Sequence, residues 1–148
     1  MLFVPYTEVD FEIANSYLSI ADADALIAGQ NNNDVWSAYT DEVKQTMLIQ
    51  SSLAVDGALM YQGSKTSSLQ VLKFPRDGSY TLPLNIKFAV VFMCLKYSND
   101  KAFKNITKET ISKLSWEFKN VNDTIGADVL AYLKPLKATS IKVGASSD

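Results

Sequence analysis

One stretch of the chain is an apolar run that no polar residue interrupts. Every residue from Phe88 to Leu95 is apolar, and the run is too short to span a bilayer. Pro83 precedes it where a first helical turn tolerates proline, because the fixed φ suits a helix and the missing N–H would be unpaired there. A helix that is apolar on all sides must be covered on all sides. The pattern therefore predicts a buried central helix at about 83–97.

Two further helices are predicted on the N-terminal side of this stretch. Ser19 has the character of an N-cap, and the apolar residues after it recur at helical spacing, which predicts a helix at about 20–29. The polar stretch 29–34 ends that helix. Thr40, followed by two acidic residues, then starts a long helix at roughly 41–60.

The remaining segments are shorter. The apolar stretch at 2–6 is broken by Pro5 and predicts an edge strand or an extended arm. The sequence at 75–78, Pro-Arg-Asp-Gly, is a strong turn signal. Residues 111–118 alternate in polarity, which predicts a strand with one covered face. Residues 128–136 predict a short final helix.

Together these elements predict a mainly α protein. We expect a small helical bundle around the central buried helix, with a minor β element and extended terminal arms. The expected division is an N-terminal strand or arm at 1–14, a helical domain at 15–136 and a C-terminal arm at 137–148. A chain of 148 residues with 47% hydrophobic and 20% charged residues is long and apolar enough to bury such a core.

The charge is distributed unevenly along the chain. Residues 1–43 hold eight acids and no base, whereas residues 44–148 hold all fourteen bases and the other eight acids. Two explanations are open at this point. The two halves neutralise each other within one fold, or the negative flank of one copy faces the positive flank of an identical neighbour, as in a head-to-tail ring.

The residue types available for catalysis are few. The chain has no histidine and a single cysteine, Cys94, which lies within the apolar run. Histidine-dependent nucleophilic triads are therefore excluded, and the commonest zinc ligand is missing. No phosphate-binding glycine motif occurs, and the acids follow no calcium-loop pattern. We therefore predict a protein without catalytic activity, metal or other cofactor.

Nucleic-acid binding has more support from the sequence. Lys101, Lys104 and Lys108 form a basic segment, with aromatic residues such as Phe103 and Trp116 in and beyond it. Lysines bind phosphates, and exposed aromatic rings stack on the bases of single strands. The alternative is that the lysines are simply solvated while the aromatic side chains belong to the core.

Several stretches of the chain, in order, match the motifs of one known family. They are Ser16–Asp24, Trp36, Lys44–Ser52, Phe74–Gly78 and Leu82–Ala89. In these stretches the chain resembles the head–tail connector proteins of tailed bacteriophages, also labelled DnaT-like single-stranded-DNA-binding. Phe74 replaces the tryptophan that is usual at the start of its motif.

The resemblance implies a structural virion protein of the adaptor or head-completion type. Such a subunit joins a ring, typically a dodecamer, beneath the portal protein and extends the channel through which genomic DNA passes. Its implied partners are the portal, the next tail or connector component, its own copies and DNA in transit, with no membrane. Its implied location is the virion head–tail junction, and the host cytoplasm during assembly.

A single-stranded-DNA-binding module is the alternative function. For either function, six basic residues are the candidates for an interface or a DNA-facing surface: Arg76, Lys101, Lys104, Lys108, Lys137 and Lys142.

Overall fold

The computed structural model describes residues 2–30, 33–98 and 125–138. Within these ranges the fold is mainly helical, as the sequence predicted. The described residues form five α-helices and one short 3₁₀ helix, in the order α1 Ile20–Ile27, α2 Asn33–Ser37, α3 Asp41–Ala58, α4 Leu84–Ser98, α5 Ala127–Leu133 and the 3₁₀ helix Lys134–Leu136.

Helix α4 is the centre of the fold. It contacts α1, α2, α3 and α5, and most of its side chains are buried. The predicted central helix is thus confirmed, with bounds one residue later than expected. The carbonyl of Pro83 accepts the N–H groups of Ile86 at 3.1 Å and Lys87 at 3.4 Å. Pro83 therefore caps the helix from the position just before its first residue.

Helices α1 and α3 begin directly after the capping residues that the sequence predicted. The hydroxyl of Ser19 accepts the N–H of Asp22 at 3.1 Å, and the hydroxyl of Thr40 accepts the N–H of Val43 at 3.4 Å. Each bond satisfies one backbone donor that the first helical turn leaves unpaired. Local sequence therefore determines where α1 and α3 begin.

Helix α2 was not predicted, because residues 29–34 were expected to be a loop. Its Trp36 is fully buried, and the indole N–H donates to the Asp24 carboxylate at 2.7 Å. The same carboxylate pairs with the ammonium of Lys44 at 3.3 Å, and that ammonium lies 5.3 Å from the Trp36 ring centroid. Burial of the indole between α1 and α3 thus orders a segment whose composition favours a turn.

The β structure of the described ranges consists of isolated bridges. One of them joins Pro5 and Ser16, and Val4 and Asn15 form two bonds beside it, at 2.8 and 2.9 Å. The N-terminal segment is therefore a short extended piece held against residues 15–16. At the other end, the N–H of Ala138 donates to the carbonyl of Met60 at 2.8 Å.

Some predictions concern residues that the structure does not describe. The strand predicted at 111–118 and most of the C-terminal arm lie outside the described residues. In the part of the chain that is described, no helix is long and apolar enough to cross a membrane.

A buried polar network fastens the irregular segments to α3. The Tyr17 hydroxyl donates to the Asp56 carboxylate, which also accepts the backbone N–H of Lys73 at 3.1 Å. Tyr17 in turn accepts the N–H of Phe74 at 3.1 Å. Burial is the main reason why the pKa of Asp56 rises from its ordinary 3.8 to about 6, against the lowering effect of those two hydrogen bonds and of the nearby Lys73 and Lys65 charges.

The Asp56 carboxylate should make the free energy of unfolding depend on pH. Because the folded protein binds this proton more tightly than the unfolded chain, its contribution to stability is complete below about pH 3.8 and is lost as the pH rises to about 6. Urea unfolding at a series of pH values should show this loss in the wild type and not in Asp56→Asn. Asp56→Asn should also be less stable than the wild type, because one of the two oxygens that accept hydrogen bonds from Tyr17 and Lys73 becomes an N–H₂ group, which cannot accept.

Asp10→Asn is the matched control, since Asp10 is exposed. It should retain the wild-type pH dependence. If the free energy of unfolding changed with pH in the same way in the wild type and in Asp56→Asn, Asp56 would not be the cause of the pH dependence.

Candidate nucleic-acid interface

Three aromatic rings stack where α4 and α5 meet. Tyr132 of α5 lies over Phe88 with a centroid distance of 5.5 Å and an interplanar angle of 29°, and over Phe92 at 5.3 Å and 18°. Phe88, Phe92 and Lys96 are four residues apart on α4, so they share one side of the helix. We call Phe88, Phe92, Lys96 and Tyr132 the α4–α5 aromatic face.

The position of Tyr132 is fixed by its own helix. Val129 and Leu133 of α5 are fully buried in the core, which anchors the inner side of this short helix on α4. The side-chain amide of Asn85 also donates to the carbonyl of Tyr132 at 2.9 Å. The three rings remain partly accessible to solvent. The face is therefore a partly exposed aromatic surface that the packing of α5 on α4 holds in place.

One charged group of this face is the ammonium of Lys96. Lys96 is exposed, and its Nζ lies 3.4 Å from the point to which a β-carbon on Gly126 would project, while Asp128 Oδ1 lies 2.7 Å from the same point. The one ion pair among the described residues joins Lys44 and Asp24, so Lys96 has no direct carboxylate partner there. A cation beside stacked rings is suited to a phosphate next to a base.

Arg76 does not share this surface. Only 6% of the residue is exposed, and its guanidinium donates to the carbonyls of Gln62 at 2.6 Å and Lys73 at 3.0 Å and to that of Gly63. The predicted turn is confirmed, and it folds the arginine inward against the 62–64 loop. Arg76 was predicted to be an interface or DNA-facing residue; in the structure its guanidinium lies inside the fold, where it joins two loops.

Asp77, the next residue of this turn, also contacts the 62–64 loop. Asp77 has a φ of 57°, and its carboxylate accepts the N–H of Ser64 at 3.0 Å. Gly63 has a φ of 76°, and a β-carbon there would collide with the Asp77 carboxylate at 2.1 Å. The arginine and the aspartate thus close one compact double loop at 62–78.

One other proposed basic residue, Lys137, lies among the described residues. Lys137 is exposed, and its carbonyl accepts the side-chain N–H of Gln62 at 2.8 Å. Lys101, Lys104, Lys108 and Lys142 lie outside the described residues. Of the six candidates, the structure therefore describes Arg76 and Lys137, and neither is among the four residues that define the aromatic face.

The aromatic face was not predicted from the sequence. Phe88 and Phe92 were assigned to a helix that is buried on every side, whereas their rings are partly exposed. The signal that was available is the spacing 88, 92, 96, which sets two aromatic residues and a lysine on one helical side. The partner Tyr132 could be found only from the packing of α5 on α4.

The cysteine in α4 is a core residue. Cys94 is fully buried, and burial raises the pKa of its thiol to about 12, against a smaller opposing effect of the Ser51 hydroxyl, which lies 3.3 Å from the sulfur. A thiol in this environment is un-ionised and poorly nucleophilic at neutral pH. Within the described ranges, no group of acidic, cysteine or histidine side chains is arranged to hold a metal ion.

Comparison with known proteins identifies the family. The family described as "Putative DnaT-like ssDNA binding protein" matches residues 10–144, which include the aromatic face and the double loop. The chain belongs to this family. Neither the curated proteins nor the solved structures provide a match.

Arg76 should matter for stability more than for ligand binding. Arg76→Met removes a buried, charged donor that bonds to three loop carbonyls, so we expect a loss of about 3 kcal/mol in the free energy of unfolding. Lys137→Met is the control, because that side chain is exposed, and it should change stability by less than about 0.5 kcal/mol. Chemical denaturation measures both, and equal effects would contradict a structural role for Arg76.

Proposed function

We propose that this protein binds single-stranded DNA through the α4–α5 aromatic face. The observation that carries the proposal is the stack of Phe88, Phe92 and Tyr132 beside the exposed Lys96. Aromatic side chains stack on bases of any sequence, and lysines bind the phosphates between them. Membership in a family named for single-stranded-DNA binding supports the same function.

The lysines between α4 and α5 add to this proposal. The chain leaves α4 after Ser98 and returns before α5, so Lys101, Lys104 and Lys108 belong to the connection that starts and ends beside the aromatic face. We propose that they contribute phosphate contacts. Binding should then weaken steeply with salt, because each phosphate contact releases counterions.

Fluorescence anisotropy with a labelled oligo-dT tests the aromatic part of the site. Tyr132→Leu keeps an apolar side chain of moderate size on α5 but removes the stacking ring, and we expect the affinity to fall about tenfold. A duplex of the same length should bind more weakly than the single strand, since its bases are already stacked. Wild-type protein that binds no single strand at low salt would refute the function.

Two lysine variants test the contribution of charge to DNA binding. Lys96→Gln should weaken binding and reduce the slope of log affinity against log salt by about 0.7. Lys65→Gln removes the same charge from the double loop, where the backbone of Lys65 pairs with Arg76, and should leave the slope unchanged. Equal slopes for these two variants would remove Lys96 from the site.

A head–tail connector is the second candidate function. In this proposal the protein is a structural virion component that forms a ring under the portal, contacts the next tail component and surrounds DNA in transit. Two observations favour it: the acidic charge is concentrated in residues 1–43, and bulky apolar side chains are exposed near the N-terminus, including Val9 at 89% and Ile13 at 62%. Neither candidate function involves catalysis.

Electron microscopy of the protein mixed with a purified portal tests the connector proposal. We expect additional ring density on one face of the portal, and co-sedimentation of the two proteins. The same protein with Val9→Asp and Ile13→Asp is the matched variant and should lose the added ring. Portal particles that remain unchanged at saturating protein would refute this function and leave the DNA-binding result unaffected.

A further inference from the structure

A small cavity opens at the end of the α4–α5 helix pair. It has a volume of about 210 Å³, and its lining comes from the double loop, the 79–83 segment and the 3₁₀ helix. An apolar cavity of about 150 Å³ is large enough to bind benzene, and pockets for drug-sized ligands begin at about 300 Å³. The cavity is therefore of the right size for one small ring system.

The lining combines apolar surface with polar groups. Phe74, Pro83 and Leu136 supply the apolar surface. The lining residues that are exposed to solvent are all polar, and they include Asp77 and Thr81. A ligand in the cavity can thus bury a flat apolar body and still form hydrogen bonds at its edge.

Two opposite charges belong to the lining. The buried charge is Arg76, whose guanidinium carbon lies 5.7 Å from the Phe74 ring centroid and whose N–H groups donate to three loop carbonyls. The exposed charge is Asp77, which accepts the N–H of Ser64 with one carboxylate oxygen, while no described residue donates to the other oxygen. The buried cation disfavours a cationic ligand such as a partner's lysine, and the exposed carboxylate disfavours an anion. The cavity therefore suits a neutral ring system that carries N–H groups.

The cavity lies next to the α4–α5 aromatic face. Pro83, on one wall, precedes the exposed Leu84, which is four residues and about 6 Å along the helix axis before Phe88. Leu136, on another wall, follows Tyr132 by four residues. A DNA strand that stacks on the aromatic face therefore reaches the cavity at the beginning of α4.

We propose that the cavity holds one guanine base of the single strand that the aromatic face binds. Guanine is a neutral, flat ring system whose N1–H and N2–H₂ groups lie side by side, so that the carboxylate of Asp77 can accept both. Adenine has a ring acceptor in place of the N1–H, and thymine has a single N–H between two carbonyl groups. This inference rests on the proposed DNA-binding function and adds a base preference to it, with Asp77 as the residue that determines the preference.

Fluorescence anisotropy with three labelled oligonucleotides tests the base preference. One is oligo-dT, and the other two have the same length and carry a single central dG or a single central dA. Wild-type protein should bind the dG strand about tenfold more tightly than oligo-dT, as expected for a bidentate contact to a base. The dA strand should bind as oligo-dT does, because adenine has the size of guanine without its N1–H.

Asp77→Asn tests the residue that determines the preference. Asparagine keeps one oxygen for the Ser64 N–H and tolerates the φ of 57°, but it replaces the second oxygen with an N–H₂ group. The variant should bind oligo-dT as the wild type does and should lose the preference for the dG strand. Asp128→Asn is the matched control, because it removes an exposed carboxylate near Lys96 from outside the cavity lining, and it should keep the preference. Loss of the preference in both variants would contradict the proposal.

Thr81→Trp tests the cavity without changing Asp77. Thr81 is exposed, so the fold should tolerate the substitution, and the larger side chain should occupy the space that the base needs. We expect the affinity for the dG strand to fall to that for oligo-dT, with the affinity for oligo-dT unchanged. A dG preference that survives this substitution would place the base elsewhere and overturn the proposal.

The wild-type result separates the guanine site from the function on which it rests. Equal affinities for all three strands would overturn the guanine site and leave the DNA-binding function intact. Equally tighter binding of the dG and dA strands would also overturn it, since the size of the base and not its edge would then decide. Binding of no strand at low salt would refute the DNA-binding function itself.

Discussion

The fold depends on covering one helix whose central segment, Phe88 to Leu95, is made entirely of apolar residues. Helix α4 has buried side chains around most of its circumference, and α1, α2, α3 and α5 all pack against it. Burial of a large aliphatic side chain contributes about 1.5–3 kcal/mol, so this helix supplies much of the driving force for folding. Every other described helix is placed by the side of α4 that it covers.

Hydrophobic burial alone does not position the irregular segments. Asp56 accepts bonds from Tyr17 and from the backbone of Lys73, while Arg76 binds the carbonyls of the 62–64 loop. A buried charge is tolerated only where hydrogen bonds replace its lost water, so each of these groups requires a specific loop geometry. The result is a rigid periphery around an apolar centre, and the candidate binding surfaces lie on that periphery.

The α4–α5 aromatic face depends on the packing of two regular helices. Its Tyr132 is held by the buried residues on the other side of α5. By contrast, the exposed apolar side chains of Val9, Ile13 and Tyr80 lie on turns and loops outside the helices.

The amino-acid sequence determined the helices whose signals are local. The caps at Ser19 and Thr40, the apolar run of α4 and the turn after Phe74 depend on neighbouring residues, and all four were predicted. Tertiary structure decided the rest, because it depends on contacts between residues distant in sequence. Burial of Trp36 turned a predicted loop into α2, the Arg76 guanidinium donates to loop carbonyls inside the fold, and Tyr132 of α5 stacks on Phe88 and Phe92 of α4. A sequence pattern records which residues are apolar or charged, but only packing decides which of them remain exposed.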